Sequence, residues 1–213
     1  MIKLDIISDP ICPWCYIGKA RLNQALESST DQPFDMEWRP FQLNPDMPAD
    51  GMDRREYLEH KFGKERAVSF YMQIAEAAEA SGLEVHFDKI KRTPNTIDAH
   101  RMIRWAKPEE CQTPLVNALF HRYFAEGEDI SDHGVLLDAA RQVGMDVELA
   151  ERLLKTDNDL EVVRQEDKNF RAMGVQGVPC FVIAGKYVVN GAQEADMWTQ
   201  VIADIKEQLK ADA

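Results

Sequence analysis

The chain has few cysteines, no long apolar run and no excess of positive charge. Four of its 213 residues are cysteine, too few for a disulfide scaffold at this length. No apolar run approaches the ~18 residues that a membrane-spanning helix needs. The 37 acidic residues outnumber 25 lysines and arginines, giving a net charge of −12, and such a surface repels nucleic acid and anionic membranes. We therefore expect neither nucleic acid nor membrane among the partners.

The first residues show no secretory signal. Met1 is followed at once by strand-like sequence, without a charged region, an apolar segment or a small-residue cleavage site. This pattern predicts a cytoplasmic protein. Disulfides in a reducing compartment are usually transient and catalytic, so the cysteines are candidates for redox chemistry.

Two of the cysteines form a C-x-x-C motif between a strand and a helix. The apolar run Leu4–Ile7 leads into Cys12-Pro13-Trp14-Cys15, and small and apolar residues then recur at helical spacing. Pro13 suits the first helical position, because the N–H that it lacks would have no partner there. The sequence therefore predicts both cysteines at the N-terminus of a helix that leaves a strand.

That position has a chemical consequence. Unpaired N–H groups and the positive end of the helix dipole stabilise a thiolate over a thiol. Because the thiolate attacks in disulfide exchange, Cys12 is the expected nucleophile and Cys15, one turn further in, the resolving thiol. We expect Trp14 to be exposed and, with Pro13, to contact substrate. The residues alone leave a structural disulfide or half a zinc site as alternatives.

The two ends of the chain read as mixed α/β structure around a helical middle. The alternating stretch Phe34–Arg39 predicts a second, parallel strand. The stretches Cys180–Ile183 and Tyr187–Asn190 predict an antiparallel hairpin, and an amphipathic helix follows. Leu83–Phe87 reads as an extended connector. The candidate helices of the middle are Arg54–Phe62, Lys64–Ser81, Thr96–Ala106, Pro114–Ala125, His133–Val143, Val147–Leu154 and one over 158–173.

This order of elements, with four separated motifs, resembles that of the DsbA family. The amino-acid sequences of the motifs are most similar to its FrnE-like cytoplasmic branch. The motifs are Ser8–Gly18, Arg39–Met47, Thr96–Arg101 and Gly174–Pro179. The resemblance spans essentially the whole chain. It implies an α/β thioredoxin fold with an inserted all-helical subdomain, in which residues 1–45 and 160–213 form the thioredoxin-like domain and residues 46–159 the insertion.

The resemblance also implies an activity. It points to a thiol–disulfide oxidoreductase, with disulfide isomerisation left open, that acts on thiol or disulfide groups of proteins or small molecules. No metal and no organic cofactor are expected, and glutathione is a candidate co-substrate. Whether the protein forms a homodimer stays an open question, since isomerases often need two active sites. The direction of the reaction depends on a reduction potential that the residues do not give.

The same resemblance assigns a role to the loop before the hairpin. Pro179 is expected to be a cis-proline that faces the cysteine pair. The backbone of Val178 would then be free to pair with an extended substrate as an added strand. Without the resemblance, an ordinary trans proline at the start of an edge strand is the alternative.

The sequence departs from the family pattern at two positions. The family places a carboxylate six residues before the nucleophile, where this chain has Ile6, and Asp5 and Asp9 are out of register. We therefore expect water or a group from the helical subdomain to handle the proton of the resolving thiol. The second departure is Cys180, which is a candidate third thiol near the nucleophile, although a small buried apolar role is the favoured interpretation.

The remaining candidates are single residues. The five histidines show no metal-ligand spacing. One of them, His100, lies in a motif of the resemblance and is a candidate to line the groove between the subdomains. Cys111 has no partner in the sequence and is interpreted as incidental.

Two other functions compete with the redox enzyme. One is a glutathione-dependent isomerase or transferase of the kappa-class or hydroxychromene-carboxylate isomerase type. Those relatives carry a serine at the position of Cys12 and lack the second thiol, so Cys15 argues against that function. The other is a non-catalytic metal-binding or chaperone-like module.

Overall fold

The computed structural model describes residues 1–29 and 32–211 and has the predicted α/β architecture. The strands in chain order are β1 (Ile2–Ser8), β2 (Phe34–Pro40), β3 (Met52–Asp53), β4 (Arg92–Thr93), β5 (Cys180–Ile183) and β6 (Tyr187–Asn190). The helices are α1 (Pro13–Glu27), α2 (Arg54–Phe62), α3 (Lys64–Ala80), α4 (Ile97–Trp105), α5 (Gln112–His121), α6 (His133–Gln142), α7 (Val147–Leu154), α8 (Leu160–Ala172) and α9 (Ala195–Ala211), with a π-helical turn over Arg122–Glu126.

Four strands form the sheet that carries the cysteine motif. Their order is β2-β1-β5-β6, with β1 parallel to β2 and antiparallel to β5, and with β5 and β6 forming the predicted hairpin. The central strand β1 ends at Ser8, so the chain leaves the middle of the sheet directly into the motif. Helix α1 then packs beside α9.

The middle of the chain is helical, as its periodicity predicts, and most predicted helix ends agree with the structure within two residues. Residues 83–86 form the expected connector. The short antiparallel pair β3–β4 was not predicted, because two-residue strands show no alternation and their pairing depends on segments that are distant in sequence. The predicted subdomain boundaries at 45/46 and 159/160 stay a prediction, and residues 212–213 lie outside the described part.

One apolar cluster joins the sheet to the helical middle. It includes Ile6 on β1, Leu22 on α1, Leu119 and Phe120 on α5, and Trp198 on α9. Because a buried aliphatic or aromatic side chain stabilises the fold by about 1.5–3 kcal/mol, this shared core fixes the helical segment against the redox motif.

Arg101 holds two helices of the middle together from inside the protein. Its guanidinium donates to the carbonyl oxygens of Leu153 (2.8 Å), Thr156 (2.6 Å) and Asn158 (2.7 Å) and to the carboxylate of Asp98 (2.7 Å). These carbonyls lie at and beyond the end of α7, where helix carbonyls lack partners within the helix. Arg101 therefore caps α7 from α4.

We expect Arg101→Met to lower the free energy of unfolding by about 3–5 kcal/mol, since it removes the hydrogen bonds of a buried guanidinium to three carbonyl oxygens and to the partly exposed Asp98 carboxylate. Arg104→Met is the matched control on the same helix. The Arg104 side chain is 43% exposed and pairs with Asp159 and Glu166, and an exposed pair contributes less than about 1 kcal/mol. Urea denaturation of both variants measures the difference, and equal losses would contradict the capping role.

Candidate active site

The two motif cysteines lie at the start of α1, as predicted. Cys12 is the N-cap residue, and Pro13 opens the helix. The main-chain N–H groups of Cys15 and Tyr16 donate to the carbonyl oxygen of Cys12 at 3.0 and 3.3 Å. Both side chains are nearly covered, Cys12 being 3% and Cys15 1% exposed. Both are free thiols in this structure.

The surroundings of the two sulfurs differ. Burial raises the pKa of the Cys15 thiol well above its usual range, and the hydrogen bond and charge of Cys12 raise it further. The hydroxyl of Ser8 and the main-chain N–H of Asp9 act in the opposite direction. These surroundings favour the protonated form of Cys15.

The loop before β5 faces Cys12. The Val178–Pro179 peptide bond is cis, as expected. The Cys12 thiol donates to the carbonyl oxygen of Val178, with an Sγ–O distance of 3.6 Å. A Cβ added to Gly18 would lie 3.0 Å from Cγ of Pro179, so the glycine lets α1 approach this loop closely. The structure thus places Val178 and Pro179 beside the cysteine pair.

The aromatic residues of the motif are less exposed than expected. Trp14 was predicted to be exposed; this was wrong, because the indole is half-buried and packs against the core clusters that contain Phe120 and Ile74. Tyr16 stacks on Phe120 and Phe124 with ring centroids 5.2 and 5.4 Å apart. The first turn of α1 is therefore packed against the helical segment.

Sequence reasoning missed Asp9, which is fully buried three residues before the nucleophile. Its carboxylate accepts hydrogen bonds from the main-chain N–H groups of Leu43 (2.7 Å) and Ile11 (3.3 Å) and from the hydroxyl of Thr96. Burial raises its pKa to about 7 despite these donors. A buried carboxyl with a strongly raised pKa is a signal of a functional site.

His100 lies next to this carboxyl. Its ring is 3% exposed, and Nε2 lies 3.8 Å from Oδ1 of Asp9. Burial lowers the pKa of the imidazole to about 4, although the charge of Asp167 and a hydrogen bond with the main chain of Phe41 act against this. That His100 lines a groove between the subdomains stays a prediction.

A family comparison agrees with this geometry. Residues 3–203 match the model of the DSBA-like thioredoxin domain. The chain belongs to this family.

Individual relatives support the assignment. A probable DsbA oxidoreductase from Streptomyces coelicolor is 29% identical, and its crystal structure superposes with a TM-score of 0.85 over 96% of this chain and 89% of that one. The uncharacterised protein YwbO of Bacillus subtilis is 27% identical over 95% of this chain and 96% of its own length. The cytosolic disulfide reductase DsbM of Pseudomonas aeruginosa, solved with GSH, shares the fold at 17% identity, with a TM-score of 0.69 over 98% of this chain and 99% of that chain.

Cys180 lies apart from the Cys12–Cys15 pair of this DSBA-like chain. It pairs with Ile7 across the sheet and belongs to a small cluster with Ile7 and Phe41, whereas the cysteine pair packs with Ile6. Neighbouring strand residues point to opposite faces, so Cys180 lies on the other side of the sheet. The small buried apolar role fits this position, and the third-thiol role does not.

The other candidates add no second site. Cys111 is buried, and its thiol donates to the carbonyl oxygen of Ala106 at 3.6 Å. Within residues 1–29 and 32–211, no three His, Cys, Asp or Glu side chains are grouped so that they could hold a metal ion. In the same part of the chain, no helix has the length and apolar character needed to cross a bilayer.

Proposed function

We propose that this protein is a cytoplasmic thiol–disulfide oxidoreductase of the FrnE-like branch that uses Cys12 as nucleophile and Cys15 as resolving thiol. The observation that carries the proposal is the placement of the pair. Cys12 is the N-cap residue of α1 and its thiol contacts the Val178 carbonyl, while burial favours the protonated form of Cys15 behind it. DSBA-like family membership supports a substrate with thiol or disulfide groups.

The reaction follows from the two positions. The Cys12 thiolate attacks one sulfur of a substrate disulfide, a mixed disulfide forms, and the other substrate sulfur leaves as a thiolate that takes up a proton. Cys15 then loses its proton and attacks Sγ of Cys12, which releases the second substrate thiol. The protein is left with a Cys12–Cys15 disulfide, and two electrons have passed to the substrate.

In this direction an external thiol reduces the Cys12–Cys15 disulfide and closes the cycle. The reverse sequence oxidises a dithiol, and an external disulfide then closes the cycle by reoxidising the pair. No bound metal or organic cofactor is needed, and glutathione is our candidate co-substrate. The cytosolic relative solved with GSH supports this choice. The reduction potential decides the direction, with ~30 mV equivalent to about 1.4 kcal/mol for this two-electron couple.

The cis-proline loop supplies a place for the substrate. A cavity of about 430 Å³ is lined by Gly174, the stretch 176–179, Asn190 and Gly191. It lies beside Val178, whose carbonyl faces the nucleophile. We propose that an extended segment of a protein substrate pairs with the main chain here by strand addition, with Pro13 and Trp14 at the other side of the sulfur.

Insulin reduction with glutathione as reductant tests the proposal. Wild type is expected to accelerate precipitation of the insulin B chain, and Cys12→Ser/Cys15→Ser is expected to return the rate to background. Cys111→Ser/Cys180→Ser is the matched control, since it removes two buried thiols outside the pair and should keep most of the activity. A wild type without activity against insulin or scrambled ribonuclease would favour the glutathione-dependent isomerase or the non-catalytic module.

A further inference from the structure

Three of the four motifs in the sequence meet at the Asp9 carboxyl. The cysteine motif supplies Asp9 itself and Ile11, the segment after β2 supplies Leu43, and the α4 motif supplies Thr96 and His100. Asp9 also touches the redox pair through its main chain. Its N–H bonds to the Cys15 sulfur, and its carbonyl accepts the N–H of Cys12 at 2.9 Å. The residue that carries the buried carboxyl therefore contacts both cysteines through its main chain.

The hydrogen bonds around His100 indicate where a proton lies. The ring bonds to the main chain of Phe41, while Nε2 is buried without a hydrogen-bond partner among the described residues. The hydrogen bond to the Phe41 carbonyl oxygen therefore uses the Nδ1–H group of His100, which makes Nε2 an acceptor in the neutral ring. The group nearest to this acceptor is Oδ1 of Asp9, at 3.8 Å. A protonated Asp9 supplies the donor that Nε2 lacks.

We propose that Asp9 holds a proton directed towards Nε2 of His100, and that binding of this proton is linked to the charge on the Cys12–Cys15 pair. The inference rests on the proposed function and makes Asp9 a positioning residue for that reaction. A carboxylate and a thiolate in one buried region repel each other. Reduction of the pair, which creates a thiolate, therefore favours uptake of a proton by Asp9, and oxidation favours its release.

The charges around Asp9 and His100 are consistent with a proton held on the Asp9 carboxyl. The titratable and charged groups that face these two side chains directly are Asp167 and Arg171 on α8 and Tyr123 on the π-helical turn. His100 also helps to line a cavity of about 430 Å³, whose charged lining residues include Arg39, Arg104 and Glu166. Arg171 donates to Asp167, and Glu166 pairs with Arg39 and Arg104. No cation among the described residues pairs with Asp9 except His100, whose burial opposes its charged form.

Titration of the Asp9 carboxyl carbon by NMR tests the inference on ¹³C-aspartate-labelled full-length protein, with the signal assigned by its absence from Asp9→Asn. We expect a midpoint near neutral pH in the protein with a reduced pair. In the oxidised protein we expect the midpoint to be lower by about half a pH unit or more, given the separation and burial of the charges. Thr96→Val removes a donor to the carboxylate and should raise the midpoint in both states.

Asp5→Asn is the control, because Asp5 lies on β1, four residues before Asp9, in an ion-paired network with Lys3 and Arg39; it should leave both midpoints unchanged. A midpoint near 4, or the same midpoint in both redox states, would overturn the inference. If the Cys12–Cys15 disulfide cannot be formed at all, the proposed function fails instead. Whether Asp9 holds a proton is then still decided by the titration midpoint of its carboxyl in the reduced protein.

Discussion

Replacing Cys15 with serine is expected to leave the protein attached to its substrate through Cys12. The nucleophile is intact, so the mixed disulfide still forms, but no second sulfur stands behind it to release the substrate. In wild type the Cys15 thiol is in contact with Cys12, and such an intramolecular thiol acts at an effective concentration of molar or above. Millimolar glutathione is its only replacement, so we expect release to slow by at least about a thousandfold.

Mass spectrometry of the protein after a brief reaction with a disulfide peptide measures the adduct. Cys15→Ser should accumulate one peptide per chain, and reduction with dithiothreitol should remove it. Cys12→Ser should show neither adduct nor turnover, because Cys15 is buried beneath it and holds its proton. If Cys15→Ser released peptide at the wild-type rate, or if the adduct were on Cys111 or Cys180, the assignment of roles would be wrong.

Replacing Asp9 with asparagine should change how stability depends on pH. The Asp9 pKa is raised to about 7 in the folded protein, whereas that of an unfolded aspartate is about 3.9. Below pH 4 the carboxyl is protonated in the folded and the unfolded protein, so its titration does not change the free energy of unfolding. Between pH 4 and pH 7 only the unfolded chain loses this proton, so the folded state is progressively destabilised, by up to about 4 kcal/mol. Asparagine does not titrate and avoids this loss.

The difference in unfolding free energy between Asp9→Asn and wild type should therefore move in favour of the variant as the pH rises from 4 to 7, and level off above pH 7. His100 titrates in both proteins, so its contribution largely cancels in the difference. Urea unfolding at half-unit pH intervals on the reduced proteins measures the curve, with Asp5→Asn as reference. A difference that is constant from pH 4 to pH 8 would show that Asp9 has an ordinary pKa in the folded protein.

The start of the active site could be predicted because its signals are local. Pro13 marks the first turn of α1, and the alternation of Phe34–Arg39 and the short apolar run Cys180–Ile183 mark strands. These features depend on neighbours in the chain. Family resemblance added the cis bond at Pro179, which residue patterns alone left open.

The parts that could not be predicted depend on contacts between distant segments. Asp9 was set aside because it is out of register with Ile6, and its burial becomes visible only when Leu43 and Thr96 fold over it. Trp14 reads as exposed at a helix start until the helical segment packs against it. The side of the sheet on which Cys180 lies follows from its pairing with Ile7, and no single stretch of sequence contains that register.

The hydrogen bond between Cys12 and Val178 links the ionisation of Cys12 to the binding of the proposed substrate segment. While Cys12 carries its proton, the thiol occupies the carbonyl oxygen that an arriving polypeptide would use. Ionisation of Cys12 removes that donor, so the change that makes the sulfur reactive also frees the Val178 carbonyl oxygen to accept another hydrogen bond. With Cys12 ionised, the site is reactive and its acceptor is available to the proposed substrate segment. With Cys12 protonated, the Cys12 thiol occupies that acceptor.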